Sequence, residues 1–143
     1  MKSSACPFCA IVAGLADADI VARFGSVIAF FPKHPASLGH TLVVPADHVE
    51  DIWSLDVASA SKLTEATLKV ARAVKDAVAP EGLNIIQSNG EAATQTIPHL
   101  HIHVLPRWSG DGIGPIWPEH SAEDPGSLER VLERLRSTLG GRS

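Results

Sequence analysis

Residues 98–107 read PHLHIHVLPR. Three histidines, His99, His101 and His103, alternate there with aliphatic residues, and an alternation of period two is typical of a β-strand. The pattern therefore predicts a strand that carries all three imidazoles on one face and packs its aliphatic side chains into a core. Because imidazole suits nucleophilic, acid–base or ligand chemistry near neutral pH, this strand is the first candidate for a functional site.

The composition is that of an ordinary globular protein and argues against several classes of function. The chain has 143 residues, 45% of them hydrophobic and 20% charged, which predicts one domain over residues 1–143. A net charge of -4 offers no basic surface for a nucleic-acid backbone, so no nucleic-acid partner is expected. No run approaches the ~18 apolar residues of a membrane-spanning helix, and no apolar signal segment begins the chain. We expect a cytoplasmic protein without a membrane partner.

The other periodicities predict an α+β fold with an antiparallel sheet. Two β-prone runs separated by Gly25 and Ser26 indicate a hairpin, and apolar residues at three- and four-residue spacing after Asp56 indicate a long amphipathic helix. The same spacing after Asp124-Pro125 predicts a C-terminal helix. The predicted elements are a hairpin of residues 20–24 and 27–31, strands at 40–44 and 83–87, a long helix at 56–79, and a last helix that ends at Gly140-Gly141.

Cys6 and Cys9 form the only Cys-x-x-Cys motif of the chain. A redox pair, two unreactive cysteines and half of a zinc site are all compatible with it. A redox pair usually follows a strand, and no strand-like run precedes Cys6. Zinc is favoured because the chain has seven histidines from which the missing ligands can come.

Two chemistries fit the histidine row. Neighbouring imidazoles of a strand can converge on one catalytic metal ion, although the outer two Cα atoms lie about 13 Å apart and the strand contains no Asp or Glu. Alternatively, one imidazole is a nucleophile that attacks phosphorus and forms a labile phosphoramidate, while its neighbours orient and protonate it. The central residue, His101, has a potential partner on either side and is the natural nucleophile.

The segment His99–Leu105 resembles the signature of the histidine triad (HIT) family, His-φ-His-φ-His-φ-φ, where φ is apolar. The likeness extends to Asn89 with Gln95-Thr96, to residues 39–45 and 106–107, and to the Cys-x-x-Cys motif of the zinc-containing, Hint-like bacterial branch. These positions span roughly residues 6–107. The resemblance therefore implies a HIT-like domain with its core there and a C-terminal elaboration over residues 108–143.

Membership of this family implies an α+β fold, usually in a homodimer whose sheets join across the two-fold axis. It also implies a nucleotide hydrolase or transferase that acts at the α-phosphate of purine, adenosine-type nucleotides, most of all on nucleoside phosphoramidates. Dinucleoside polyphosphate hydrolysis is an alternative substrate class. A non-catalytic purine-nucleotide-binding or interaction protein and a catalytic metalloprotein are the alternatives of other kinds.

The resemblance also implies roles for individual residues. His101 matches the nucleophile that is transiently nucleotidylated, and His103 and His40 match the partners that fix its tautomer and stabilise charge. Zinc is structural in such relatives. The matching zinc ligands are Cys6, Cys9, His48 and His99. The matching substrate-binding positions are Asn89, Gln95, Thr96, Phe30 and His99.

Two positions depart from the pattern of the family. Thr94 stands where relatives commonly have a glycine before the glutamine, so the backbone of this loop is expected to differ near the phosphate. Pro32 stands where relatives commonly have the aspartate that contacts the ribose hydroxyls, which proline cannot do. Lys33 or His34 is the candidate to replace that contact.

Overall fold

A computed structural model describes residues 5–120 and 122–140. The chain divides into two compact units, Met1–Gly112 and Ile113–Ser143, and one domain over residues 1–143 stays a prediction. The second unit contains the helix α3 (Pro125–Leu139). The elements of the first unit are α1 (Pro7–Val12), β1 (Ile20–Phe24), β2 (Val27–Phe30), β3 (Thr41–Pro45), α2 (Val57–Val78), β4 (Gly82–Gln87) and β5 (Ile102–Arg107), with short 3₁₀ turns at Ile52–Ser54 and Glu91–Ala93.

The five strands form one antiparallel sheet in the order β1-β2-β3-β5-β4. The predicted hairpin is β1 and β2, and its turn uses Gly25 at a φ of 65°, a left-handed conformation that glycine adopts without a Cβ clash. The predicted α+β fold with an antiparallel sheet is confirmed.

Alternate residues of β2 and β3 enter two different cores, because successive side chains of a strand point to opposite faces of the sheet. Both strands are buried throughout. The core that includes α2 contains Val27, Ala29, Val43, Leu63, Ala66, Val70, Val74, Leu100 and Val104. The core that includes α1 contains Cys6, Phe8, Cys9, Ile28, Phe30, Leu42 and Val44.

The two longer helices begin after aspartates: of Ser54 and Asp56, the two candidate caps of the long helix, Asp56 is the one used. Asp56 accepts a hydrogen bond from the Ser59 N–H (2.7 Å) at the start of α2, and Asp124 accepts one from the Ser127 N–H (2.9 Å) at the start of α3. Such caps satisfy backbone N–H groups that lack a partner within the helix. Gly140 follows α3 at a φ of 68°, and Gly141 lies outside the described residues. The apolar stripe of α3 is exposed: Leu128, Val131, Leu132, Leu135 and Leu139.

The strand that carries the histidines is shorter than predicted. The predicted alternation holds, because Leu100, Ile102 and Val104 pack in the core that includes α2, whereas the rings of His99 and His101 lie beside Phe8 of the other core. Strand β5 nevertheless begins only at Ile102, so His99 and His101 precede it. The reason is that the Leu100 N–H donates to the carbonyl of Val49 (2.6 Å), which belongs to a loop and not to a neighbouring strand. No helix in the described part of the chain is long and apolar enough to span a membrane.

Candidate functional site

Four predicted metal ligands come together at the N-terminal end of α1. The ligand atoms of Cys6, Cys9, His48 and His99 all lie within 4.8 Å of one another. The Sγ atom of Cys9 is 3.4 Å from Nδ1 of His48 and 3.5 Å from Nδ1 of His99. Tetrahedral zinc, with bonds of about 2.3 Å to sulfur and 2.0–2.1 Å to nitrogen, separates such ligand atoms by about 3.5 Å. The donor set therefore fits zinc.

His99 presents the correct nitrogen to this cluster. Its Nε2 lies 2.8 Å from the carbonyl of Pro45, and since a carbonyl only accepts, Nε2 carries the proton and donates. The unprotonated Nδ1 then faces both cysteine sulfurs. Metal-bound histidines usually donate their other N–H in this way, which fixes the ring and its tautomer.

His101 is held as a neutral ring with one free lone pair. Its Nδ1 donates to the carbonyl of His99 (2.8 Å), so Nε2 is the unprotonated nitrogen, and it has no hydrogen bond among the described residues. The rings of Phe8 and His101 form a T-shaped pair, with centroids 5.1 Å apart. Burial lowers the pKa of His101. The arrangement leaves a nucleophilic nitrogen in a ring that two neighbours immobilise.

His40 and His103 form a chain of hydrogen bonds with one direction of donation. The Ala36 N–H donates to Nδ1 of His40 (3.0 Å), so the proton of His40 is on Nε2. That nitrogen donates to Nδ1 of His103 (2.9 Å), which places the proton of His103 on Nε2. The rings of His103 and His101 lie with their centroids 4.9 Å apart. His103 therefore has one N–H still available beside His101.

The low pKa of His103 should be measurable by titration of the folded protein. Burial, followed by the charges of His101 and His40, lowers the pKa of His103 from 6.5 to about 4. Below pH 6.5, the unfolded chain binds a proton at His103 more readily than the folded protein does. The free energy of unfolding should therefore decrease as the pH falls from 6.5 to about 4, and His103 should not affect it above that window. NMR titration of the imidazoles should give a midpoint near pH 4 for His103.

The matched variant is His103→Asn. It should reduce the dependence of the free energy of unfolding on pH between 4 and 6.5, measured with urea at several pH values. A His103 midpoint at or above 6.5 would contradict the assigned hydrogen-bond chain.

The loop between β4 and β5 is attached to the residues that follow β3. Gln95 is buried, accepts from the Gly90 N–H (2.7 Å) and donates to the Glu50 carbonyl (2.8 Å). Asn89 accepts from the Ile52 N–H (2.7 Å). Both side chains are thus engaged within the protein.

The remaining predicted substrate positions lie in different environments. Thr96 is exposed and its hydroxyl has no hydrogen bond among the described residues. Phe30 is only 1% exposed and packs against Phe8, with ring centroids 5.4 Å apart. Lys33 and His34 are exposed in the loop after β2. The substrate roles of these residues stay predictions.

Thr94 occupies a backbone conformation that favours glycine. Its φ is 69° and its ψ 24°, the left-handed region that costs an L-residue roughly 1–2 kcal/mol. Thr94→Gly removes this strain, while the greater conformational entropy of glycine in the unfolded chain offsets about 0.5–1 kcal/mol of that gain. We expect a gain in the free energy of unfolding of up to about 1.5 kcal/mol, measured with urea.

Thr96→Gly is the control for this prediction, because Thr96 lies two residues away and has no positive φ. It should destabilise the protein or leave its stability unchanged. If both variants changed the free energy of unfolding equally, backbone strain at Thr94 would not be the cause.

Two kinds of groups that contribute to the candidate site were not predicted from the sequence: an aromatic side chain and several backbone groups. The Phe8 ring forms T-shaped pairs both with His101 and with the metal ligand His99, whose ring centroid is 5.7 Å away. Its place inside the Cys-x-x-Cys motif is a signal that could have indicated this. The backbone groups of Val49, Glu50 and Ile52 gave no such signal, because a carbonyl or N–H is present at nearly every position.

Comparison with known proteins gives consistent matches. The family model of the HIT domain matches residues 14–110. The chain is 30% identical over 135 residues to the adenosine 5'-monophosphoramidase hnt1 of Schizosaccharomyces pombe, over 94% of this chain and 98% of that protein. The fold is similar to that of a HIT family protein from Bacillus subtilis, with a TM-score of 0.87, 34% identity, and 98% and 100% of the two chains covered. It is also similar to a Zn-bound histidine triad family protein from Mycobacterium smegmatis, with a TM-score of 0.73, 32% identity, and 94% and 97% covered.

Proposed function

Because the chain belongs to the histidine triad (HIT) family, we propose that it is a nucleotide hydrolase or transferase that acts at the α-phosphate of adenosine-type purine nucleotides. Nucleoside phosphoramidates are the proposed substrates, a choice supported by the name of the Schizosaccharomyces pombe relative. The observation that carries the proposal is the free Nε2 lone pair of His101, in a ring whose Nδ1 donates to the carbonyl of His99.

The proposed reaction has two displacements at phosphorus. Nε2 of His101 attacks the α-phosphorus, a phosphorus–nitrogen bond to the ring forms, and the bond to the leaving amine breaks as that amine takes up a proton. Water then attacks the nucleotidyl-histidine and releases the nucleoside monophosphate. The ring becomes positively charged in the first step, and its Nδ1–H bond to the carbonyl of His99 strengthens with that charge.

His103 and the loop of residues 88–96 are proposed to act on the phosphate side. His103 has an N–H on Nε2 beside the His101 ring, and it can donate to a phosphoryl oxygen or to the leaving group. His40 keeps this tautomer in place through the hydrogen bond to Nδ1 of His103. The exposed hydroxyl of Thr96 and backbone amides of the loop are the proposed donors for charge that develops on the phosphoryl oxygens.

Zinc is proposed to have a structural role. Cys6, Cys9, His48 and His99 would hold it, and a set of four protein ligands is typical of a closed structural site. When bound, it would supply a cross-link between α1, the residues after β3 and the start of the histidine segment.

The proposal is tested by trapping the intermediate. The protein is mixed with adenosine 5'-phosphoramidate, quenched rapidly without acid, digested and measured by mass spectrometry. We expect an adenylyl adduct on the peptide that contains His101, which forms and decays at rates that account for turnover. Binding of adenosine nucleotides without an adduct and without turnover would favour the non-catalytic binding protein.

We further propose a homodimer whose sheets join across a two-fold axis. Strand β4 is at the edge of the sheet, and it exposes Leu83 and Ile85 by 36% and 51%. Edge strands with exposed apolar residues readily pair with another chain. Light scattering of the purified protein should give twice the mass of the chain, and Ile85→Lys should shift it toward the monomer.

A further inference from the structure

We propose that Asn89 and Gln95 are positioning residues, which couple the metal cluster to the loop of residues 88–96 between β4 and the histidine segment. The coupling runs through the segment of residues 45–52, here called the bridging segment. The inference rests on the proposed function for its catalytic consequence, but the coupling itself can be measured without any substrate.

The bridging segment is attached to the loop and to the histidine segment by successive contacts. Its first residue, Pro45, accepts from Nε2 of His99, and the Val49 carbonyl accepts from the Leu100 N–H. The Glu50 carbonyl then accepts from the Gln95 side chain at 2.8 Å. At its end, the Ile52 N–H donates to Oδ1 of Asn89 at 2.7 Å.

The metal ligand His48 lies within the same segment. Residues 46–51 have no helix or strand, so no ladder of backbone hydrogen bonds holds them in place. His48 faces Cys9 with Nδ1, and a bound metal would fix this point relative to α1 and His99. A loop fixed at an internal point has fewer conformations to lose when its other contacts form, so metal binding should strengthen the contacts to Asn89 and Gln95.

Both amides make several hydrogen bonds within the protein. Oδ1 of Asn89 accepts from Ile52 and Gln87, and its Nδ2 donates to Gln87 at 2.7 Å. Oε1 of Gln95 accepts from Gly90, and its Nε2 donates to the carbonyls of Glu50 and Ile97. Gln95 therefore cannot donate to a phosphate without releasing the carbonyl of Glu50 or Ile97, and Asn89 has only one N–H that these contacts do not use. Positioning is therefore the function that fits these contacts.

Hydrogen exchange tests the coupling directly, because two of the contacts are made by amide protons. The protein is compared with zinc and after chelation, at a temperature where the metal-free protein stays folded. We expect exchange at Ile52 and Gly90 to accelerate at least tenfold on metal removal. The Ala79 amide, which donates to Lys75 at the end of α2, should be unchanged. Equal exchange rates with and without zinc at Ile52 and Gly90 would overturn the proposal.

Two variants of Asn89 test positioning with the metal in place. Asn89→Asp keeps the acceptor for the Ile52 N–H, whereas Asn89→Leu removes it. Asn89→Asp should keep exchange at Ile52 slow and should lower kcat less than Asn89→Leu does. Asn89→Leu should lower kcat at least tenfold with little change in KM, while zinc content stays that of the wild type.

If Asn89→Asp lowered kcat more than Asn89→Leu, Asn89 would be a substrate ligand and the proposal would be overturned. The reason is that a carboxylate repels a bound phosphate, whereas leucine only fails to bind it. Failure of the proposed function has a different signature. In that case the wild type would not turn over phosphoramidate, while exchange at Ile52 and Gly90 would still depend on zinc and on Asn89.

Discussion

Turnover is expected to fall by at least about 10⁴-fold when His101 is replaced by alanine or asparagine. Such a large effect follows because no other unprotonated imidazole nitrogen in the His40–His103–His101 group is free: Nδ1 of His40 and Nδ1 of His103 both accept hydrogen bonds. Steady-state rates with adenosine 5'-phosphoramidate, and the adduct assay on the same samples, measure this loss.

The controls separate chemistry from folding. His101→Asn retains a side chain that can donate toward the carbonyl of His99, so it should keep the zinc content, the circular dichroism spectrum and nucleotide binding of the wild type. His120→Ala removes an exposed histidine and should leave the rate unchanged. A rate within tenfold of the wild type in both His101 variants would exclude His101 as the nucleophile.

The second large effect is expected at the metal cluster. Cys9→Ala should remove the zinc and lower the free energy of unfolding by at least about 3 kcal/mol, since the Cys9 sulfur lies beside both His48 and His99. For a chain of this size, such a loss lowers Tm by roughly 6–12 °C. Elemental analysis and thermal unfolding measure the two changes, starting from one zinc per chain in the wild type.

The metal-free wild type is the matched reference for this variant. In excess chelator, Cys9→Ala and the wild type should unfold at nearly the same temperature, because the cysteine then stabilises the fold only by its burial. His34→Ala, which alters an exposed histidine, should keep both zinc and Tm. Partial turnover of the folded metal-free protein would agree with a structural metal, whereas its complete loss would indicate a catalytic one.

Much of the fold follows from local patterns. The helix from Val57 to Val78 begins after the predicted Asp56, and the hairpin turn lies at Gly25, as the sequence indicates. These features depend on side-chain periodicity, capping and a glycine turn, which act over a few neighbouring residues. The exposed stripe of α3 shows the limit of such patterns, since periodicity predicts an apolar face but not what covers it.

The family and the metal ligands are also accessible from the sequence. The resemblance to the HIT family is confirmed, and the four residues predicted as zinc ligands form one cluster. Cysteine and histidine carry distinctive chemistry, so their identity and spacing are informative in the sequence itself. At Thr94, where the resemblance leads us to expect glycine, the φ of 69° is a conformation that favours glycine.

The sequence by itself determined the α+β fold, the alternation that buries Leu100 and Val104, and the set of imidazoles and thiols available for chemistry. The resemblance to the HIT family already implied different roles for His99, His101 and His103, but only the tertiary structure decided which nitrogen of each ring carries the proton. His99 turns to the cysteines because its Nε2 donates to Pro45, and His101 keeps a free Nε2 because its Nδ1 donates to His99. These tautomers depend on backbone carbonyls and on loops distant in sequence. Because every residue has a carbonyl, no sequence pattern shows which of them will meet an imidazole.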